Sequence, residues 1–229
     1  MKKIVVMTGA GISAESGIKT FRDAGGLWEG HDVMEVASPD GWRRNPELVL
    51  DFYNQRRKQL LKVAPNAAHK ALVALEKNYD VHIVTQNVDD LHERAGSSQI
   101  VHLHGELKKV RSTQNDKIVY DCDGDIVLGD NCELGSQLRP HIVWFGEMVP
   151  MLEVAATLTV EADICIIVGT SMQVYPAAGL IGYAPPHAKV YYVDPKPAIN
   201  YELARSKNLE VVTENATTGV RKVVDQLLG

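Results

Sequence analysis

The sequence predicts an α/β fold in which a parallel sheet carries helices on both faces, with a small module inserted into the chain. Two observations support this prediction. Short, almost wholly apolar runs alternate with segments of helical periodicity, and one stretch rich in Asp, Gly and Asn interrupts the alternation. Strands buried on both faces read as continuous apolar runs, which is typical of parallel sheets. A chain of 229 residues is long enough to form one domain with its own core.

The predicted strands are IVVM (4–7), VHIVT (81–85), IVHL (100–103), DICIIVG (163–169), VYYV (190–193) and EVV (210–212). The predicted helices are 46–61, 65–78, 151–162 and 217–228. Within a single domain, a Rossmann-like core would then comprise about 1–30, 80–106 and 141–229, with an inserted helical segment at about 31–79. The small module would span about 107–140, where KIVY (117–120) and DIVL (125–128) have β-like character.

Composition and charge exclude several classes of protein. The net charge of −5 and the absence of a basic stripe argue against a nucleic-acid partner. No run approaches the roughly 18 apolar residues of a membrane helix, so we expect no membrane association. The start, MKKIVV, lacks a cleavable signal pattern, and Cys122, Cys132 and Cys165 cannot form a disulfide framework. We therefore expect a cytoplasmic protein; the oligomeric state stays open.

Residues 9–14, GAGISA, follow the first predicted strand and fit the G-x-G-x-x-A turn of a dinucleotide site. The first Gly of such a turn permits a tight bend, and the second lets the backbone approach a pyrophosphate. The acidic residue that usually follows about 20 residues later is absent, and TFRDAGGLWEGHD stands there instead. The turn therefore indicates either a nucleotide site of another kind or a plain strand–turn–helix.

Polar residues follow two other predicted strands. Asn87 and Asp89 stand in TQNVDD, before a helix that we expect to begin at Leu91, and His104 stands at the tip of the next strand. The carboxyl ends of parallel strands meet at one edge of a sheet, so these side chains and GAGISA should converge on one crevice. Histidine is the side chain most easily poised as a base near neutral pH. The alternatives are that Asn87 and Asp89 only cap the helix and that His104 is an ordinary surface residue.

Five motifs, in this order and at this spacing, closely resemble the sirtuins, a family of NAD-consuming protein lysine deacylases: GAGISAESGIKTFR, TQNVDDLHERAG, HLHGEL, RPHIVWFGE and IVGTS. The resemblance covers essentially the whole chain and is greatest to the bacterial class III (CobB-like) members. It implies that NAD is a co-substrate rather than a hydride carrier and that residues 20–32 form a mobile cofactor-binding loop. A dehydrogenase is disfavoured because a substrate domain and the second-strand acid are missing.

The resemblance implies an NAD site spread over the strand ends. Arg22 would approach the phosphates, with a solvated loop arginine as the alternative. Asp194 would contact the adenosine ribose, unless it only starts a turn before Pro195, and Ala216 matches the adenine-edge position. The implied cofactor-binding residues are Gly9, Ala10, Gly11, Ser13, Ala14, Thr20, Phe21, Arg22, Trp28, Gln86, Asn87, Asp89, Gly169, Thr170, Ser171, Asp194 and Ala216.

The family mechanism implies three catalytic residues. In that mechanism the acyl oxygen attacks C1′ of the nicotinamide ribose as nicotinamide leaves, which gives an alkylimidate. By resemblance, His104 is the general base that activates a ribose hydroxyl, Asn87 positions water or the ribose, and Asp89 holds the nicotinamide amide. The products would be nicotinamide, O-acyl-ADP-ribose and free lysine.

The resemblance also implies a preference for acidic acyl groups. Tyr53 and Arg56 share one face of a predicted helix, where spacing alone favours a half-buried aromatic beside a solvated cation. In class III sirtuins a Tyr-x-x-Arg pair binds the carboxylate of succinyl- or malonyl-lysine, to which Arg offers a planar fork and Tyr a hydroxyl donor. Ala37 matches the small residue that widens the acyl pocket, and Thr20 matches the class III pattern.

The segment HIVWFGE (141–147) corresponds to the family's strand and loop that bind the substrate peptide by strand addition, with a buried edge strand as the alternative. The substrate-binding residues that the resemblance implies are Ala37, Tyr53, Arg56, Val143, Trp144, Phe145 and Gly146.

The inserted module departs from the family pattern. Sirtuins usually hold a structural zinc there with two C-x-x-C pairs, whereas VRSTQN replaces the first pair and the second retains Cys132 alone. A thiolate zinc site needs four ligands, so we expect no zinc and no metal site, beyond an adventitious ion at Cys122 and Cys132.

The leading prediction is an NAD-dependent deacylase that removes acetyl, succinyl and malonyl groups from the lysine side chains of proteins. An NAD hydrolase or ADP-ribosyltransferase on the same scaffold is an alternative, although the intact HIVWFGE segment argues against it. A non-catalytic NAD-sensing module is another, and the presence of His104 and Asn87 argues against that one.

Overall fold

The computed structural model describes residues 1–20, 27–28 and 30–229. The strands of this part of the chain are β1 (Lys3–Thr8), β2 (Leu27–Trp28), β3 (His31–Asp32), β4 (Asp80–Thr85), β5 (Ile100–His102), β6 (Gly105–Ser112), β7 (Val119–Asp121), β8 (Leu138–Ile142), β9 (Ile164–Val168), β10 (Lys189–Val193) and β11 (Leu209–Val212). Its helices are α1 (Gly11–Ala14), α2 (Val33–Val36), α3 (Pro39–Arg44), α4 (Pro46–Leu60), α5 (Ala67–Leu75), α6 (Leu91–Ala95), α7 (Leu152–Val160), α8 (Tyr201–Ala204) and α9 (Ala216–Leu228), with a 3₁₀ helix at Ala177–Tyr183.

A six-stranded parallel sheet forms the centre of the fold and confirms the predicted α/β class. The strand order is β5-β4-β1-β9-β10-β11, and every neighbouring pair is parallel. All six apolar runs of the sequence form strands of this sheet. Chain order reverses between β1 and β9, which is the switch point where doubly wound sheets bind ligands beyond the strand ends.

Helices cover both faces of the sheet because successive strand residues point to opposite sides. Ile4 and Val6 of β1 are fully buried in a core cluster that includes residues of α5 and α9. Val5 and Met7, the residues between and after them, lie in a second cluster with residues of α7 and the 3₁₀ helix. This double burial explains why the strands read as continuous apolar runs.

The helical segment before β4 is fixed by side-chain caps. The Ser38 hydroxyl accepts from the Gly41 N–H at 2.9 Å at the start of α3. The Asn45 side chain accepts from the Leu48 N–H at 3.1 Å at the start of α4. A third core cluster joins α2 and α4 to β8 and the residues that follow it, and it contains Ala37, Tyr53 and Trp144. This cluster lies beside the functional site.

The inserted module is a three-stranded antiparallel sheet with β6 between β7 and β8. The predicted β-like piece at 125–128 is wrong, since DIVL forms no strand. Instead, the backbone N–H of Ile126 donates to Asn54 Oδ1 at 3.0 Å, and its carbonyl accepts from Asn54 Nδ2 at 2.8 Å. A side chain of α4 thus satisfies the backbone groups that a neighbouring strand would otherwise pair.

The division of the chain into core, helical segment and module at the limits given above stays a prediction. No helix in residues 1–20, 27–28 and 30–229 has both the length and the apolar character needed to cross a membrane.

Candidate active site

A cavity of 720 Å³ opens at the carboxyl edge of the parallel sheet, within the size range of small-molecule sites. The predicted site residues that line it are Gly9, Ala10, Gly11, Ala14, Thr20, Trp28, Ala37, Tyr53, Arg56, Gln86, Asn87, Asp89, His104, Val143, Trp144, Phe145, Gly146, Gly169, Thr170, Ser171, Asp194 and Ala216. Ser13 is buried behind this lining. Phe21 and Arg22, with most of the predicted 20–32 loop, lie outside the described residues.

Three glycines, Gly9, Gly11 and Gly169, form a glycine cradle at the switch point between β1 and β9. The Gly11 N–H donates to the Gly169 carbonyl at 2.8 Å, and the Gly9 N–H donates to the Val168 carbonyl at 3.0 Å. A Cβ added to Gly11 would lie 2.6 Å from Gly169 Cα, and Gly169 itself has a positive φ of +60°. Side chains are therefore excluded here, and bare backbone faces the cavity where a pyrophosphate could approach closely.

Asn87, Ser13 and Asp89 form a hydrogen-bonded chain below the cradle. Asn87 Nδ2 donates to Ser13 Oγ at 3.2 Å, and Ser13 Oγ donates to Asp89 Oδ2 at 3.0 Å. Asp89 Oδ1 also accepts from the Leu91 N–H at 3.1 Å, where α6 begins. Asp89 therefore satisfies the helix start, as the capping alternative supposed, and still lines the cavity.

Burial raises the pKa of Asp89 to about 6, although hydrogen bonds from the Leu91 backbone and from Ser13 oppose the rise. The folded protein therefore favours the protonated carboxyl relative to the unfolded chain. The contribution of Asp89 to stability is fully present below its ordinary pKa of 3.8 and is lost as the pH rises through about 6. At neutral pH the ionised Asp89 carboxylate is a destabilising group kept at the site.

Asp89→Asn should raise the free energy of unfolding at pH 7 by about 1–3 kcal/mol, because it removes this buried charge and keeps the side-chain shape. The difference from wild type should vanish below pH 4 and grow between pH 4 and about 6. Urea unfolding at pH 3.5, 5 and 7 measures this. A variant that is less stable than wild type at pH 7 would contradict the assignment.

His104 lies between β5 and β6, directly before Gly105, and its ring orientation is fixed. Its Nδ1 lies 3.1 Å from the Gln86 carbonyl oxygen, which can only accept, so Nδ1 carries the proton and Nε2 keeps a lone pair. Burial lowers the pKa of His104, despite the hydrogen bond to Gln86, and favours this neutral tautomer. The ring thus has the protonation state of a general base.

Steric crowding explains why a glycine follows His104 in the sequence. Gly105 has a φ of +83°, and a Cβ there would lie 2.0 Å from the His141 carbonyl oxygen. The close passage of β6 past β8 brings His104 beside the segment 143–147, since the Val143 N–H donates to the His104 carbonyl at 2.9 Å.

Tyr53 and Arg56 of α4 line the cavity with Ala37. The sequence spacing alone favours a solvated cation, but Arg56 is only 7% exposed and Tyr53 is fully buried. The Arg56 guanidinium lies 5.2 Å from the Trp28 ring centroid and donates to Gln59 Oε1 at 3.3 Å. A guanidinium held under an apolar cover suits an anionic ligand because little water competes for it.

The segment after β8 is braced by an ion cluster. Arg139 donates to both carboxylate oxygens of Glu147, at 2.7 and 3.1 Å, and Arg111 donates to one of them at 3.2 Å. The Trp144 N–H donates to the same carboxylate at 2.8 Å, and the Phe145 N–H donates to the Ala37 carbonyl at 2.9 Å. These bonds fix the backbone of residues 143–147 at the cavity edge.

Asp194 directly follows β10 and is 4% exposed. Its carboxylate accepts from the Lys196 N–H at 2.8 Å, so the turn anticipated by the alternative interpretation is present. Asp194 also lines the cavity, together with Ala216 at the start of α9.

Sequence reasoning missed Gln59, Arg139 and Glu147. Gln59 stands three residues after Arg56, and Glu147 closes the HIVWFGE motif, so both could have been found from helix spacing or motif position. Arg139 opens the RPHIVWFGE motif that Glu147 closes, so its motif position carried the same signal.

The cysteines of the module make ordinary local contacts. Cys132 Sγ lies 3.1 Å from Ser136 Oγ, and Cys122 Sγ donates to the Gly124 carbonyl at 3.3 Å. Within the described ranges, no three His, Cys, Asp or Glu side chains are grouped to hold a metal ion. The zinc-free module stays a prediction.

Comparison with known proteins gives a consistent assignment. The sequence model described as the Sir2 family matches residues 9–176. The "NAD-dependent protein deacylase" of Helicobacter pylori (strain J99) is 59% identical over 228 residues, which covers 100% of this chain and 96% of the relative. The protein of the same name from Bacteroides thetaiotaomicron is 52% identical over 234 residues and covers 100% and 99% of the two chains.

Solved structures agree with these sequence matches. A Sir2 homologue in complex with NAD is 36% identical, with a TM-score of 0.88 over 99% of this chain and 90% of that one. A Sir2 protein bound to acetylated peptide is 30% identical, with a TM-score of 0.80 over 97% and 92%. The resemblance seen in the sequence is thereby confirmed, and this chain belongs to the Sir2 family, the sirtuins.

Proposed function

We propose that this protein is an NAD-dependent protein lysine deacylase that removes acetyl groups and, preferentially, succinyl and malonyl groups. It would release nicotinamide, O-acyl-ADP-ribose and free lysine. The observation that carries the proposal is that one cavity has a glycine cradle and His104 in one part and the buried Tyr53–Arg56 pair in another. The names of the relatives support deacylation, and the Tyr53–Arg56 pair supports the preference for acidic acyl groups.

The cradle suits the pyrophosphate of NAD as a co-substrate because its backbone is bare and tightly packed. Asn87 and Asp89 are tied together through Ser13, so their positions relative to a bound nicotinamide ribose would be fixed before the ligand arrives. His104, with Nε2 unprotonated, would take a proton from a ribose hydroxyl. Departure of nicotinamide from a cationic glycoside depends on such positioning more than on a strong acid.

Arg56 and Tyr53 would bind the acyl carboxylate together. Arg56 supplies a fork of N–H donors and a positive charge, and Tyr53 supplies one hydroxyl donor. Ala37, which is 3% exposed, would leave room for an acyl chain longer than acetyl. The backbone of residues 143–146 would pair with the peptide that carries the lysine. With its cysteines free, the protein suits the reduced cytoplasm, where we place this activity.

Matched succinyl- and acetyl-lysine peptides test the acyl preference. In Arg56→Met, the ratio of kcat/KM for succinyl over acetyl should fall by about 10- to 100-fold, because a charge-assisted pair of hydrogen bonds to the carboxylate is lost. Lys58→Met is the matched control. It removes a positive charge from the same helix at a side chain that is 60% exposed and paired with Asp125, so the ratio should not change.

Each other outcome identifies a different error. Equal losses for both peptides would show that Arg56 does not bind the acyl carboxylate. A wild-type enzyme that works only on acetyl peptides would contradict the acidic preference and leave deacylation in place. Consumption of NAD without loss of any acyl group would favour the NAD hydrolase alternative.

A further inference from the structure

Trp144 makes a directional contact with the acyl-binding pair. Its indole Nε1 lies 3.1 Å from the hydroxyl oxygen of Tyr53, and both side chains are buried. The indole N–H can only donate, so the Tyr53 oxygen accepts and the Tyr53 proton must point elsewhere. We propose that Trp144 is a positioning residue for acyl selectivity that directs the Tyr53 O–H toward the acyl carboxylate. This inference rests on the proposed function of the Tyr53–Arg56 pair.

The proton of the Tyr53 hydroxyl is not donated to any group in the described part of the chain. Across the described residues, the Trp144 contact is its only hydrogen bond. A buried hydroxyl that accepts one bond and donates none is incompletely satisfied, and a carboxylate oxygen in the adjoining cavity would complete it. Burial also raises the pKa of Tyr53, so the group remains an O–H donor at neutral pH.

Trp144 itself is held rigidly, as a positioning residue must be. The Arg139 guanidinium lies 3.3 Å from the centroid of its ring, and Arg139 is anchored by both oxygens of Glu147. The Trp144 backbone N–H donates to the same carboxylate, and the Trp42 ring packs at 5.8 Å. Backbone and ring are thus fixed by separate contacts.

A phenol hydroxyl prefers to lie in the plane of its ring, so its proton has two favoured orientations of similar energy. The Trp144 N–H donates to the Tyr53 oxygen and so disfavours the orientation in which the Tyr53 proton points at the indole. The effect should apply to acyl groups with a terminal carboxylate and be absent for acetyl, which has no oxygen at that distance from the lysine.

Trp144→Phe tests this because it keeps an aromatic ring and removes the donor. The succinyl-to-acetyl ratio of kcat/KM should fall by about 3- to 10-fold, and the change should lie in KM for the succinyl peptide because the contact is remote from the reacting carbonyl. Trp144→Phe should have no further effect on the ratio when it is added to Tyr53→Phe, since the Tyr53 hydroxyl through which Trp144 acts is then missing. Trp42→Phe, which keeps an aromatic ring beside Trp144 and removes an indole other than the one that donates to Tyr53, should leave the ratio unchanged.

A second substitution separates hydrogen bonding from packing. Incorporation of 3-benzothienylalanine at position 144 keeps the bicyclic shape and replaces the N–H by sulfur, and it should reproduce the fall in the ratio. An unchanged ratio in this variant, or independent additive effects of Trp144→Phe and Tyr53→Phe, would overturn the proposal while wild-type desuccinylation stands. Absence of desuccinylation in wild type would instead overturn the proposed acyl preference and this inference with it.

Discussion

His104→Ala should lower kcat for deacylation by about 10²- to 10⁴-fold, the usual contribution of a positioned general base. The ring is fixed by the Gln86 carbonyl at Nδ1, so its replacement removes the lone pair held at Nε2. His102→Gln is the matched control. His102 precedes His104 by two residues and is bonded to Glu93 at 2.6 Å, so we expect less than a tenfold loss.

The pH profile tests the same assignment independently. Burial lowers the pKa of His104, so the base remains unprotonated at lower pH than an ordinary histidine. The acidic limb of kcat/KM should therefore lie below the ordinary histidine value. The pKa of His102 shifts in the opposite direction from that of His104. Burial lowers it, but the Glu93 carboxylate more than offsets this effect and raises the pKa overall. A limb above the ordinary value, or full activity in His104→Ala, would contradict His104 as the base.

Arg57→Leu should lower the free energy of unfolding by about 3 kcal/mol or more, because it breaks the link between α4 and the inserted module. Arg57 is 1% exposed. It donates to the carbonyls of Leu107 and Gly124 and to Asn54 Oδ1, each at 3.0 Å. Asn54 in turn binds both backbone groups of Ile126. In a chain of this size, the expected fall in Tm is about 6–12 °C.

Calorimetry of wild type, Arg57→Leu and Arg43→Leu, and of wild type with EDTA, gives the control and the contrary outcome. Arg43→Leu removes an exposed arginine paired with Asp40 and should change stability by less than about 0.5 kcal/mol. EDTA should leave the Tm of wild type unchanged if the Asn54–Arg57 contacts, rather than a metal, hold the module. A Tm that falls with EDTA and recovers with zinc would contradict the zinc-free module, and an Arg57→Leu protein as stable as wild type would contradict the role of Arg57.

The sheet could be predicted from sequence because burial on both faces leaves a local signal. Each of its strands is a continuous apolar run, and the residues after the runs converge by the geometry of parallel strands. DIVL carried the same local signal and is not a strand; the backbone groups of its Ile126 are paired by Asn54, which lies 72 residues away. Such long-range pairing has no trace in a window of a few residues.

The two arginines of YNQRR illustrate where the prediction of the site ends. The family motif singles out Arg56, and nothing in the sequence distinguishes Arg57 from a solvated neighbour. Their different environments follow from the module that packs against one face of α4. The Trp144–Tyr53 contact could not be predicted from the sequence for the same reason, since the two residues are 91 positions apart.

The product balance of the wild-type enzyme on a succinyl-lysine peptide with NAD tests the proposed deacylation most directly. Mass spectrometry should find nicotinamide, O-succinyl-ADP-ribose and unmodified lysine peptide in equal amounts, and no product without NAD. Nicotinamide and ADP-ribose formed while the peptide stays succinylated, or free succinate formed without NAD, would contradict NAD-dependent deacylation of succinyl-lysine.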